Sequence, residues 1–247
     1  MSTPHAFIPS IYNYCDRWCE RCPMTFACRV YEPPEEMPDP ENGKSNEAFW
    51  KKLALNFEKT IELLKRDFQF QETEAIYVQQ QELKTLTEQH PLSRMCRSYA
   101  RLANKTLNSE SLLNNTCAEL IQQAELGLKE EDIILEQIQT LRECKEVISW
   151  YLLFVAAKIG RALMGKMDGW EDASMIQSDM NGSAKIAMIG IERSMQAWVQ
   201  IFNITQEEDQ IFPLLQMLAE IKRLAGEEFP RAEEFVRPGF DAPPEAE

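Results

Sequence analysis

Histidine is nearly absent from the chain: among 247 residues there are two, His5 and His90. The Glu-x-x-His pairs of a di-iron carboxylate bundle cannot be built from them, since Thr87 stands three residues before His90. Glycine is scarce too, with nine residues, and none of them opens a phosphate loop, a dinucleotide fingerprint or a nucleophile elbow. Basic residues number 26 against 40 acidic ones, a formal net charge of −14. Such a surface repels phosphate backbones and anionic headgroups, so neither nucleic acid nor a membrane is expected as a partner. Long apolar runs are missing as well. The best, VISWYLLFVAA at 147–157, covers about half of the ~20 residues that cross a bilayer before Lys158 interrupts it. The N-terminus MSTPHAFIPSIYNYCDRW has no basic start, apolar stretch or small-residue cleavage site of a signal peptide, which points to a cytoplasmic protein. SDMNGS fails as a calcium loop, because Gln177 and Met188 occupy positions that need carboxylates.

What is present is helical periodicity. Trp50, Leu53, Phe57, Ile61, Leu64 and Phe68 recur at steps of three or four and predict a helix over 46–71. A second stretch stops at His90-Pro91, because the residue before a proline is pushed out of helical angles. A third runs from Pro91 toward Leu126 with a break near Asn108-Ser109, and Gly127 is its stop. Residues 130–164 give the longest helix, apolar nearly all round in its second half and therefore central. MGKMDGWEDASMIQSDMNGS reads as a loop in which Asn181-Gly182-Ser183 cap the next helix. Ala184, Met188, Ile191, Met195, Trp198 and Phe202 mark that helix's core face. Thr205 and Glu208 suggest a capping box for the last helix, with Pro213 kinking it or shifting its start. No stretch alternates β-branched residues between hairpin turns. The expected fold is all-α: a bundle of five or six helices over 48–226, preceded by a cysteine-bearing arm (1–31) and a Pro/acid-rich linker (32–47). An acidic tail (227–247), partly disordered, follows.

Four of the seven cysteines fall in CDRWCERCPMTFAC, spaced C-x3-C-x2-C-x5-C. In a reducing cytosol clustered cysteines are metal or redox groups more often than disulfides. Thiolates are soft ligands, and Cys15, Cys19, Cys22 and Cys28 together can wrap one zinc ion or one [4Fe–4S] cluster. Zinc sites usually pair two C-x2-C knuckles across a longer loop. Here one such pair sits in a compressed run, which favours the cluster. Arg17, Arg21 and Arg29 alternate with the cysteines and would offset thiolate charge, while Tyr12, Tyr14, Trp18, Phe26 and Tyr31 would shield the site.

Cys22-Pro23 resembles the Cys-Pro ending of bacterial ferredoxin runs. CDRWCERC resembles the radical-SAM motif, which implies a cluster with one open iron that binds SAM. Arg21 stands where that family commonly has an aromatic residue, Cys28 is near enough to close the open iron, and no barrel strands are legible. Radical-SAM chemistry is disfavoured on these grounds.

Charges embedded in apolar surroundings, at Lys158, Arg161, Lys185 and Arg193, suggest a polar pocket between two helices for an anionic ligand, or a contact with the cysteine arm. Ion pairs at helix surfaces are the alternative. Ala156, Gly160, Ala187 and Gly190 would let these helices approach closely. Cys96, Cys117 and Cys144 read as core residues. The expected function is electron transfer or redox sensing through a cluster, with a redox or regulatory protein as partner. Two alternatives are open: a zinc-stapled interaction module, and an enzyme using the Lys158, Arg161 and Arg193 pocket beside a cluster.

Overall fold

The structure is a computed structural model and describes residues 7–31, 74–109, 112–169 and 175–241. The predicted helix over 46–71, the linker at 32–47 and the end of the tail lie outside the described residues. Six α-helices are present among those described: α1 (Glu74–Gln89), α2 (Pro91–Asn108), α3 (Leu113–Glu125), α4 (Glu131–Asp168), α5 (Asp179–Thr205) and α6 (Glu208–Glu228). With no strand among the described residues, the protein is all-α. The chain divides into two compact units, Met1–Ile8 with Cys19–Glu82, and Pro9–Trp18 with Leu83–Glu247.

In the second unit four helices pack in a cycle: α4 on α5, α5 on α6, α6 on α2 and α2 on α4, with α3 against α4. The closest pair is α4 and α5. Gly190 explains part of this, since a Cβ there would lie 2.9 Å from the Tyr151 ring and 3.1 Å from Val155. Gly160 does not share the role, having open space beside it. Ile148, Tyr151, Val155, Ile159, Trp198, Ile201, Leu214 and Leu218 fill the interior. One polar pair is buried among them: Trp198 Nε1 donates to Tyr99 Oη at 3.0 Å, joining α5 to α2. By length and composition alone α4 could cross a membrane, but its Ile148, Tyr151, Val155 and Ile159 face is spent on the core.

The helix boundaries follow local chemistry. His90 caps α2, its Nδ1 accepting from the Leu92 amide at 3.3 Å, with Pro91 in the first turn. Gly127, at φ +66°, ends the turn after α3. Three expected details are corrected. The loop after α4 is shorter than expected, because α4 continues to Asp168 and α5 starts at Asp179, capped by Ser178 Oγ accepting from Asn181 N at 3.2 Å. Asn181, Gly182 and Ser183 are therefore buried helix residues rather than a cap. The capping box does not form either: Thr205 belongs to α5, donates back to Ile201 O at 2.9 Å, and Gln206 turns the chain at φ +57°. Helix α6 begins at Glu208 and runs through Pro213. Finally, residues 229–241 are packed, with Phe229, Ala232 and Phe235 buried; three apolar residues at steps of three outweigh the acidic composition of that stretch.

Candidate metal centre and the clamp on the Pro9–Trp18 limb

The cysteine segment is built from tight turns. Three-residue 3-10 turns span Ile11–Asn13, Cys19–Arg21 and Thr25–Ala27. The Cys22 amide donates to Cys19 O at 3.2 Å and the Cys28 amide to Thr25 O at 3.2 Å, so Cys19, Cys22 and Cys28 all flank turns. The Met24 amide donates to Cys22 Sγ at 3.4 Å. Cys15, in the second unit, donates through Sγ to Tyr12 O at 3.6 Å. All four are half-buried, and the seven cysteines are thiols without disulfides. The donor chemistry and partial exposure fit a soft metal. Among the described residues no group of three or more His, Cys, Asp or Glu side chains is gathered to hold a metal ion.

The limb Pro9–Trp18 is seated on α4 and α5 by side chains on both. Asp16 organises it: Oδ1 accepts from the Trp18 amide at 3.1 Å, and Arg17 between them sits at φ +57°, so the chain doubles back. Asp16 Oδ2 accepts from Tyr151 Oη at 2.7 Å and from Arg193 at 2.5 Å, and Arg193 also donates to Tyr151 Oη at 2.5 Å. The Asp16 carbonyl accepts from Trp150 Nε1 at 3.0 Å, and Trp18 stacks on Trp150 with centroids 4.9 Å apart. Burial pushes the Tyr151 hydroxyl up to about 12, and donation to the Asp16 carboxylate adds to the rise. Burial opposes the Arg193 cation, but Tyr151 and Asp16 outweigh it and raise its pKa.

A second contact lies about two turns further along α4. Lys158 Nζ donates to Asn13 O at 2.9 Å, and its pKa is lowered, by burial first and then by neighbouring Arg161. Arg161 grips Asp179 through Nε and Nη2, both at 2.7 Å, and Asp179 accepts from Tyr14 Oη at 3.2 Å. The Tyr14 ring meets Phe235 edge-on at 4.7 Å over Gly182. A Cβ on Gly182 would lie 2.5 Å from Tyr14 and 2.7 Å from Phe235, which is why that position is glycine.

Of the four cations singled out from the sequence, Lys158 and Arg193 thus engage the limb directly, and Arg161 engages it through Asp179. Lys185 is directed elsewhere: it donates to Phe235 O at 2.5 Å and pairs with Asp241 at 2.9 Å, tying down the C-terminal segment. Glu192 pairs with Lys222 on α6 at 2.7 Å. Of the aromatics expected as shields of the cysteines, Tyr14 packs on Phe235 and Trp18 on Trp150 of α4, and Phe26 is exposed. Asp16, Trp150, Tyr151 and Gly182 escaped the sequence reading. One signal was available: Asp16 is an isolated acid between a cysteine and an arginine.

No family model, no curated protein and no solved structure matches the chain.

Proposed function

We propose that Cys15, Cys19, Cys22 and Cys28 ligate a [4Fe–4S] cluster and that the protein transfers electrons or senses redox state with a protein partner. The observation that carries this reading is the C-x3-C-x2-C-x5-C run, whose four thiols are half-buried rather than sealed in the core. A cluster so held would supply one-electron chemistry, and four protein thiolates leave no iron for a substrate. Two features of the chain suit that task. The amide donated to Cys22 Sγ stabilises a thiolate, and Arg17, Arg21 and Arg29 bring positive charge among the ligands in a chain of net charge −14. Arg193 and Tyr151 on Asp16, with Lys158 on Asn13, hold the segment that carries Cys15.

The test is anaerobic purification of the full chain with iron and acid-labile sulfide analysis and a visible spectrum. The expected result is a brown protein with iron and sulfide in equal amounts. Their loss in Cys19→Ser and Cys22→Ser, but not in Cys117→Ser, should follow. A colourless protein holding a single zinc would overturn the reading in favour of a zinc-stapled module.

A further inference from the structure

The hairpin joining α3 to α4 carries an apolar surface that no described contact accounts for. Leu126 is 64% and Leu128 72% exposed, both in the turn itself. The turn that presents them is closed by two backbone hydrogen bonds. The Gly127 amide donates to Ala124 O and the Leu128 amide to Gln123 O, both at 2.9 Å, with Gly127 at φ +66°. These are the paired bonds of a Schellman motif, in which the residue after the left-handed position usually packs on an apolar residue three before the cap. Here that earlier position is Gln123, so Leu128 has no apolar partner in its own motif and projects outward.

The rim is predominantly acidic, with four acids to one lysine. Glu125, Glu130, Glu131 and Asp132 are exposed and form no ion pair among the described residues, while Lys129 donates to Gln137 at 2.7 Å. An apolar centre inside an acidic rim fits a partner of opposite pattern. A second copy of this chain, itself at −14, and an anionic lipid surface are both repelled.

We infer that the α3–α4 hairpin is a docking surface for a basic amphipathic helix of a partner protein, whose leucine-like face covers Leu126 and Leu128 while its lysines and arginines meet the acidic rim. The inference does not depend on the metal reading. It is tested with the full chain and a fluorescein-labelled peptide of about 18 residues with leucines at i, i+3, i+4 and i+7 among lysines. Controls are a peptide of the same composition with its leucines scattered round the helix, and a vesicle of phosphatidylcholine and phosphatidylserine.

The amphipathic peptide should bind about tenfold more tightly than the scattered one, a difference of 1.4 kcal/mol. Leu126→Ser/Leu128→Ser should abolish that preference with unchanged thermal stability, both side chains being exposed. The idea is overturned if the two peptides bind alike, which is charge attraction alone, or if the double variant binds as wild type. It is equally overturned if the double variant removes self-association or vesicle binding in place of peptide binding.

Discussion

At the scale of single residues, two glycines in adjacent helices make opposite predictions. Gly182 gives up its side chain so that the Tyr14 and Phe235 rings can lie against α5; a methyl group there would sit inside both rings' van der Waals envelopes. Gly182→Ala should lower stability by about 1–3 kcal/mol, because two aromatic side chains must leave their positions. Gly160, in the interior of α4, has nothing within 4 Å of where a Cβ would stand. Gly160→Ala should stabilise by about 0.5–1 kcal/mol through helix propensity and a more restricted unfolded chain. Urea denaturation of the two variants checks both signs, and equal effects would mean that the Tyr14–Phe235 contact over α5 is wrong. Asp16 belongs to the same scale. Its carboxylate accepts from the Trp18 amide, Tyr151 and Arg193, so a single side chain joins a local turn to two helices.

At the scale of elements, the segment after α6 depends on charge in a way that predicts a pH response. Burial opposes ionisation of Asp241, but hydrogen bonds from Arg237 and Lys185 outweigh it and hold the carboxyl well below the usual carboxylate range. A folded-state pKa below the unfolded value of about 3.9 gives stability that is present above that value and lost as pH falls toward the folded pKa. Asp241→Asn should therefore be less stable than wild type at pH 7, by an amount on the order of 2 kcal/mol for charged hydrogen bonds, and the gap should begin to narrow below about pH 4. A gap constant from pH 7 to pH 3 would rule out the ion pair as its source. This element also marks what the sequence made legible. Helices α2 to α6 could be read because their apolar residues repeat at helical spacing and because Pro91 and Gly127 punctuate them. Apolar periodicity says which face is buried, not what covers it. Phe229, Ala232 and Phe235 were hidden by the acids and prolines around them, and the start of α5 was hidden because Gly182 looks like a turn until the aromatic rings above it are known. The four cations were visible as charges in apolar surroundings, whereas the partners Asn13 and Asp16 lie outside any periodic pattern.

At the scale of the whole molecule, the seven thiols fall into two classes, and the fold predicts their chemistry. Cys96 on α2 is 1% exposed, and burial pushes its pKa up to about 12. Burial also raises Cys144 and, less enclosed, Cys117. Cys15, Cys19, Cys22 and Cys28 are all half-buried. Because the thiolate is the nucleophile, the raised pKa of Cys96 and its burial both slow its alkylation at pH 8. Iodoacetamide labelling of native metal-free protein, read by peptide mass spectrometry, should mark the four N-terminal cysteines first and Cys96 only as the bundle unfolds. Urea should then bring Cys96 to the rate of the others. If Cys96 labels with the N-terminal group in native protein, the packing of α2 against α4 and α6 fails. The same measurement on protein as purified separates fold from function: a bound metal should protect Cys15, Cys19, Cys22 and Cys28 until it is removed, and leave Cys96 unchanged throughout.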